Sequence, residues 1–240
     1  MSNHILIDGK MYQLTDAQAE AIASAIRKTG VDVPKKVRLG DVPVGEVAKI
    51  DGQDFIILEH VGDLTYLITK DLIEEKVKFS KVNNNYDGSL VDDLCESAAE
   101  LLEDLVGADN VVEFELDLTS DDGLKDYGKI RRKMALITAD MYRKYVDILD
   151  QHKINEWWWL ATPHSITRHE NDSWVKCVSP SGDFIRICNY RIGIGVRPFC
   201  ILKSDIFVSR RKERHCSKQC YVARNRQTQA AWRKRLKEGK

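Results

Sequence analysis

No apolar run in these 240 residues approaches the roughly 18 that a helix needs to cross a bilayer, so no membrane span is expected. The first residues, Met1-Ser2-Asn3-His4-Ile5-Leu6-Ile7-Asp8, lack the basic start and apolar stretch of a secretory signal, which makes a cytoplasmic location the expectation. Cysteine is scarce, with six residues at 95, 177, 188, 200, 216 and 220. In that compartment they stand as thiols or metal ligands rather than disulfides. Net charge is missing too, since 37 basic side chains offset 37 acidic ones. The balance is uneven along the chain: residues 210–240 hold twelve Lys and Arg against two Glu, a net of +10, which leaves −10 on the first 209. An acidic body with a basic tail points to a tail that meets something anionic. The simpler alternative is a helix that folds back on the acidic body. The segment from Thr119 to Gly128, with Asp121, Asp122 and Asp126 in it and Asp117 before it, has carboxylates for calcium but lacks the D-x-D-x-D-G spacing of a calcium loop and reads first as a solvated turn.

What is present is a globular composition, 43% hydrophobic and 31% charged, with length for one large or two small domains. Residues 3–14 read as a hairpin about Asp8-Gly9. Thr15-Asp16 then caps a helix over 16–28, whose thin face of Ala19, Ile22, Ala23 and Ile26 suits a docked arm or self-association. A linker at 33–36 leads to a three-stranded meander (47–50, 55–60, 65–69) with Asp51-Gly52 as its first turn. Asp71-Leu72-Ile73 begins a helical turn, and 83–89 is a polar loop. Ser89 caps a helix carrying Leu90, Leu94, Ala98, Leu101, Leu102 and Leu105 up to Gly107, with Cys95 as a packing residue. Val111–Leu118 alternates as a half-exposed strand, 134–138 is a short apolar strand, and Thr138 caps a helix over about 139–149.

The chain is organised around Trp157–Pro198. Three of its five tryptophans are consecutive here, in Glu156-Trp157-Trp158-Trp159-Leu160-Ala161-Thr162-Pro163. Alternation on a strand puts Trp157 and Trp159 on one face and Trp158 on the other, so both faces are covered and the strand is central. A hairpin at 174–188 follows. If its turn centres on Ser181-Gly182, Cys177 and Cys188 share a face, as packing residues or as a site. Gly193 and Gly195 serve positive φ or close approach to another strand. The last strand runs through 199–202 to 206–208.

The Trp-Trp-Leu-x-Thr-Pro segment at 158–163, the closing Gly195-Val196-Arg197-Pro198 and the Phe199–Val208 tail resemble a widespread family of bacterial and phage domains of unknown function. The resemblance covers residues 37–209. It implies an α+β, C-type-lectin-like mixed domain, and hence a binding module of phage or prophage type, virion-associated if phage-encoded. Three parts are expected: a hairpin–helix arm (1–35), the lectin-like domain (36–209) and a basic helical tail (210–240). The Glu-Pro-Asn or Gln-Pro-Asp loop and the Trp-Asn-Asp strand of calcium-dependent lectins are absent, as is a match to the reactive cysteine pair of the formylglycine enzymes.

Binding residues concentrate on loops held by a rigid scaffold, which singles out 164–172: His164, Arg168, His169, Glu170 and Asp172 are the candidate contacts for a glycan or protein ligand. Within that loop His164, His169 and Glu170 are also candidates for a metal, or His169 with Glu170 for acid–base work; a solvated loop is the plain alternative. In the tail, His215-Cys216-Ser217-Lys218-Gln219-Cys220 resembles the second half of a treble-clef zinc finger. His215, Cys216 and Cys220 would supply three zinc ligands, the fourth coming from elsewhere, since the usual first Cys-x-x-Cys is missing. Residues 219–237 favour helix. Arg224, Arg226, Arg233, Lys234 and Arg235 offer phosphate contacts, and Tyr221 and Trp232 offer stacking, for a nucleic-acid partner. The readings in order are a non-enzymatic binding module, a nucleic-acid-associated protein with a zinc-stabilised tail, and an enzyme of the 164–170 loop.

Overall fold

The computed structural model describes residues 3–7, 10–28, 36–166, 173–188, 192–210, 232–236 and 238. The chain divides into two units, Met1–Lys35 and Lys36–Lys240. In the first, β1 (Asn3–Ile7) pairs antiparallel with β2 (Lys10–Leu14), with Ile7 opposite Lys10; the expected turn residues Asp8 and Gly9 lie outside the described residues. Helix α1 (Asp16–Lys28) opens with a reciprocal cap: the Gln18 amide donates to Thr15 Oγ1 at 3.3 Å, and the Thr15 amide donates to Gln18 Oε1 at 3.0 Å.

The second unit is a mixed α and β structure. Its larger sheet starts with β3 (Lys36–Arg38) and the meander β4 (Val47–Ile50), β5 (Gln53–Val61) and β6 (Leu64–Thr69). Ile50 faces Gln53 across Asp51-Gly52, and both turn residues have positive φ, 41° and 91°. This is the twist-matched hairpin turn that Asp-Gly favours. Strands β8 (Val111–Val112), β11 (Met134–Leu136), β16 (Pro198–Lys203) and β17 (Phe207–Arg210) complete eight antiparallel strands in the order β11-β16-β6-β5-β4-β17-β3, with β8 also on β16. The smaller sheet has the order β14-β13-β12-β15-β7. In it β12 (Trp158–Pro163) is flanked by β13 (Trp174–Val178) and, in parallel, by β15 (Ile194–Val196), with β14 (Phe184–Cys188) and β7 (Glu74–Val77) at the edges. A separate hairpin joins β9 (Phe114–Asp117) to β10 (Lys129–Arg132).

Two apolar clusters lie on the two sides of the larger sheet. Phe55, Ile57, Leu67, Cys200 and Leu202 gather with Val91, Cys95, Ala98 and Leu102 of α2 (Leu90–Val106) and with Trp159. The intervening residues Ile56, Leu58, Ile68, Phe199 and Ile201 gather with Tyr142, Tyr145 and Leu149 of α3 (Ala139–Gln151) and with Trp158. Period-two alternation thus feeds both cores. Both helices begin as expected, with Ser89 Oγ accepting the Asp92 amide and Thr138 Oγ1 the Met141 amide. No helix among the described residues is long and apolar enough to cross a membrane.

The two end motifs of the tryptophan stretch meet in space. Trp158 pairs with Gly195, and the Arg197 guanidinium lies 5.2 Å from the Trp158 ring centre. Arg197 is 1% exposed, and its nitrogens donate to the carbonyls of Thr69 (2.9 Å), Lys70 (3.2 Å) and His152 (3.5 Å). Burial pulls its pKa down to about 10, against the opposing charges of Asp71 and Tyr142. Trp159 is fully buried, its indole N–H donating to the Val77 carbonyl at 2.8 Å. The glycines serve close approach: a Cβ at Gly193 would lie 2.2 Å from the Lys76 carbonyl oxygen, and one at Gly195 would lie 2.3 Å from Leu72 Cδ1.

Several local expectations shift. The strand starts at Trp158, and Trp157 is 37% exposed before it. Asp71-Leu72-Ile73 forms no helical turn; the Ile73 amide donates to Val196 and leads into β7, since β15 offers its backbone there. Val111–Leu118 splits at Glu113 between two sheets, and β10 has too many charges to read as a strand, being stabilised across the hairpin by Lys129–Glu115 at 2.7 Å and Arg131–Glu113 at 2.7 Å. The final strand breaks at 204–206 into β16 and β17. In the β13–β14 hairpin Cys177 pairs with Ile185 and Cys188 with Trp174. That register is one residue away from a turn centred on Ser181-Gly182.

Candidate functional site

A concave surface lies where α3 begins. The Thr162 side chain at the end of β12 accepts the Ala139 amide at 2.8 Å, fixing the first turn of α3 against the central strand. Opposite, the turn after β9 is closed by hydrogen bonds from the Ser120 amide to Leu124 (2.9 Å) and from the Gly123 amide to Ser120 (2.8 Å). Asp117 accepts both the amide and hydroxyl of Thr119, and the Asp121 amide donates to Pro163 at 2.9 Å. Between these walls is a cleft of about 440 Å³, lined by Glu115, Asp117, Asp140, Arg143 and the hydroxyls of Thr119 and Thr138 among others.

Two of the lining residues, Asp121 and Arg143, belong to a charge cluster that reaches β13. Asp121 accepts from Arg143 at 3.0 Å and from Lys176 at 3.1 Å, and His164 Nδ1 is 3.8 Å away. Lys176 is only 7% exposed and sits 4.0 Å from the Phe184 ring centre; Arg143 lies over the same ring at 5.0 Å. Burial raises the Asp121 pKa, but the hydrogen bonds and charges of Lys176 and Arg143 outweigh it and hold the carboxyl below its usual range. His164 is shifted down, first by burial and then by Arg186 and Lys176, against the pull of Asp121 and Asp122. Arg186 donates to His164 Nε2, which places the imidazole proton on Nδ1, toward Asp121. The cluster is therefore a set of fixed charges with a neutral histidine.

Of the ligand-loop residues, His164 belongs to this cluster, whereas Arg168, His169, Glu170 and Asp172 lie outside the described residues. Two cations beside His164 oppose a metal there. Among the described residues no three His, Cys, Asp or Glu side chains are grouped to hold a metal ion. His215, Cys216, Cys220, Arg224 and Arg226 also lie outside the described residues. Trp232 is 2% exposed and part of the apolar core, so it offers no stacking surface here. Arg233 is engaged by Ile73, Leu72 and Glu75, Arg235 by Asp51, and Lys234 is 74% exposed beside Glu238. Burial pushes the Cys95 and Cys177 thiols up to about 12 and Cys200 higher still, so none is a ready thiolate.

Sequence reasoning missed three residues of this region. Asn84, fully buried, donates from Nδ2 to the carbonyls of Ser165 (2.6 Å) and Trp174 (2.9 Å), and accepts from the Tyr127 hydroxyl at 2.8 Å. It pins both ends of the 166–173 segment, yet its sequence context, Asn83-Asn84-Asn85, is that of a solvated loop. Lys176 carried a signal in its same-face neighbours Trp174 and Val178 on β13, both apolar, which place a charge on an inward face. Asp121 had none. Comparisons with protein-family models, curated proteins and solved structures gave no match to this chain.

Proposed function

We propose that this chain is a non-enzymatic binding module with a lectin-like body, and that its ligand site is the cleft at the start of α3. The observation that carries the reading is the cleft's lining. Glu115, Asp117 and Asp140 bring carboxylates to it, Thr119 and Thr138 bring hydroxyl side chains and Arg143 a guanidinium already held by Asp140 and Asp121, and among the described residues no aromatic ring lines it. Such a surface suits a hydroxyl-rich ligand, a glycan, held by hydrogen bonds rather than by a stacking platform or a bridging cation. The charge cluster is rigid: Asp121, Arg143 and Lys176 hold one another, and Asn84 fixes the adjoining loop ends. Preorganised donors and acceptors lose little entropy on binding. The motif clasp of Trp158 and Arg197 supports the lectin-like reading of the body, as a scaffold that holds loops still. The +10 tail supports a second contact, with a nucleic acid as anionic partner.

An array of immobilised glycans probed with wild-type protein and with Arg143→Ala tests the site. Retention of one glycan class by the wild type, reduced about tenfold or more in Arg143→Ala as for loss of a charge-assisted hydrogen bond, is the expected outcome. No retention of any glycan, or equal retention by the variant, overturns the reading.

A further inference from the structure

Residues 232–236 form a helical turn on the body. Trp232 and Leu236, one turn apart and 2% and 6% exposed, join the cluster that contains Ala48, Ile50 and Ile73. Arg233 donates from Nε to the Ile73 carbonyl at 2.9 Å, reaches the Leu72 carbonyl at 3.4 Å and pairs with Glu75 at 3.1 Å. Arg235 pairs with Asp51 in the β4–β5 turn. Two carbonyls and a carboxylate thus give one guanidinium the set of acceptors that a phosphate would give it.

The docking is held weakly on its polar side. Glu75, Asp51 and Arg235 are 51%, 43% and 48% exposed in their side chains, so these pairs are screened by salt. The Trp232 indole N–H is buried without a hydrogen-bond partner among the described residues, and a desolvated donor of that kind works against the docked state. The turn is thus anchored by two apolar side chains and the Arg233 guanidinium, opposed by a stranded donor and flanked by exposed ion pairs.

We propose that residues 232–236 are a releasable latch, and that a nucleic acid and the acidic rim of the body at Asp51 and Glu75 compete for the same arginines. The inference rests on the reading of the tail as a nucleic-acid contact and adds that the contact is masked until the latch opens.

Binding of a labelled DNA duplex of about 20 base pairs, read by fluorescence anisotropy at low and moderate salt, tests it on the full chain. The variants are Trp232→Ala, which removes the anchor, and Asp51→Asn with Glu75→Gln, which leaves the core intact should the first misfold. Both are expected to bind about tenfold tighter than the wild type, because apparent affinity scales with the undocked fraction. Amides 232–236 are expected to lose hydrogen-exchange protection when the wild type is saturated with duplex. Equal affinity in wild type and variants, or protection that persists at saturation, overturns the latch while leaving the tail reading intact. Absence of binding by every variant removes the tail reading and the competition with it.

Discussion

At the scale of single residues, the motif arginine is a structural group. Arg197 spends its donors on three backbone carbonyls and its face on Trp158. Removing it strands those acceptors in a dry interior. Arg197→Ala is expected to cost about 3 kcal/mol in urea unfolding. Arg197→Lys is expected to recover little, since an ammonium cannot reproduce the planar fork. The charge cluster of the cleft makes its own demand on pH. The folded pKa of Asp121 is depressed, so its contribution to stability is complete above its ordinary value of 3.8 and is lost as pH falls through the folded value. His164 is also depressed from 6.5, so the unfolded chain takes up that proton first and stability starts to fall below 6.5. Thermal melts should therefore decline in two stages on acidification. Asp121→Asn should flatten the lower stage and His164→Gln the upper one; unchanged curves would show that neither group is coupled to folding.

At the scale of elements, the glycines before Arg197 let β15 lie against the 72–76 segment. The two obstacles differ in kind. A Cβ at Gly195 meets the far end of the Leu72 side chain, which can turn away, whereas one at Gly193 meets the Lys76 backbone, which cannot. Gly193→Ala is expected to lose about 2 kcal/mol or more, and Gly195→Ala less; the reverse order in denaturant unfolding would contradict the placement of β15. The same elements show where sequence was legible. The Asp51-Gly52 turn, the Ser89 and Thr138 caps and the meander of β4, β5 and β6 are local signals, and the structure follows them. β7 and β10 are exposed, charged and short, and exist because a partner strand lies beside them. That information is not local, so Asp71–Ile73 read as a helical turn and 129–132 as nothing at all. The candidate site was less legible than the fold for the same reason: His164 stood out, but Asp121 and Asn84 reach it from 43 and 80 residues away in the chain, and Lys176 from the next strand.

At the scale of the whole molecule, the charge asymmetry of the sequence takes a physical form. Part of the basic tail lies on the acidic body, and the alternative of a helix folded back on that body describes residues 232–236. The cleft at the start of α3 lies on the same second unit, lined by residues of β9, β12 and the first turn of α3, elements fixed by the two cores. The most direct measurement of where a ligand sits is hydrogen exchange on the full chain with and without a glycan captured by the array. A cleft site predicts slowed exchange confined to residues 119–123 and 138–143. Slowing elsewhere on the body, or none at saturation, would contradict it.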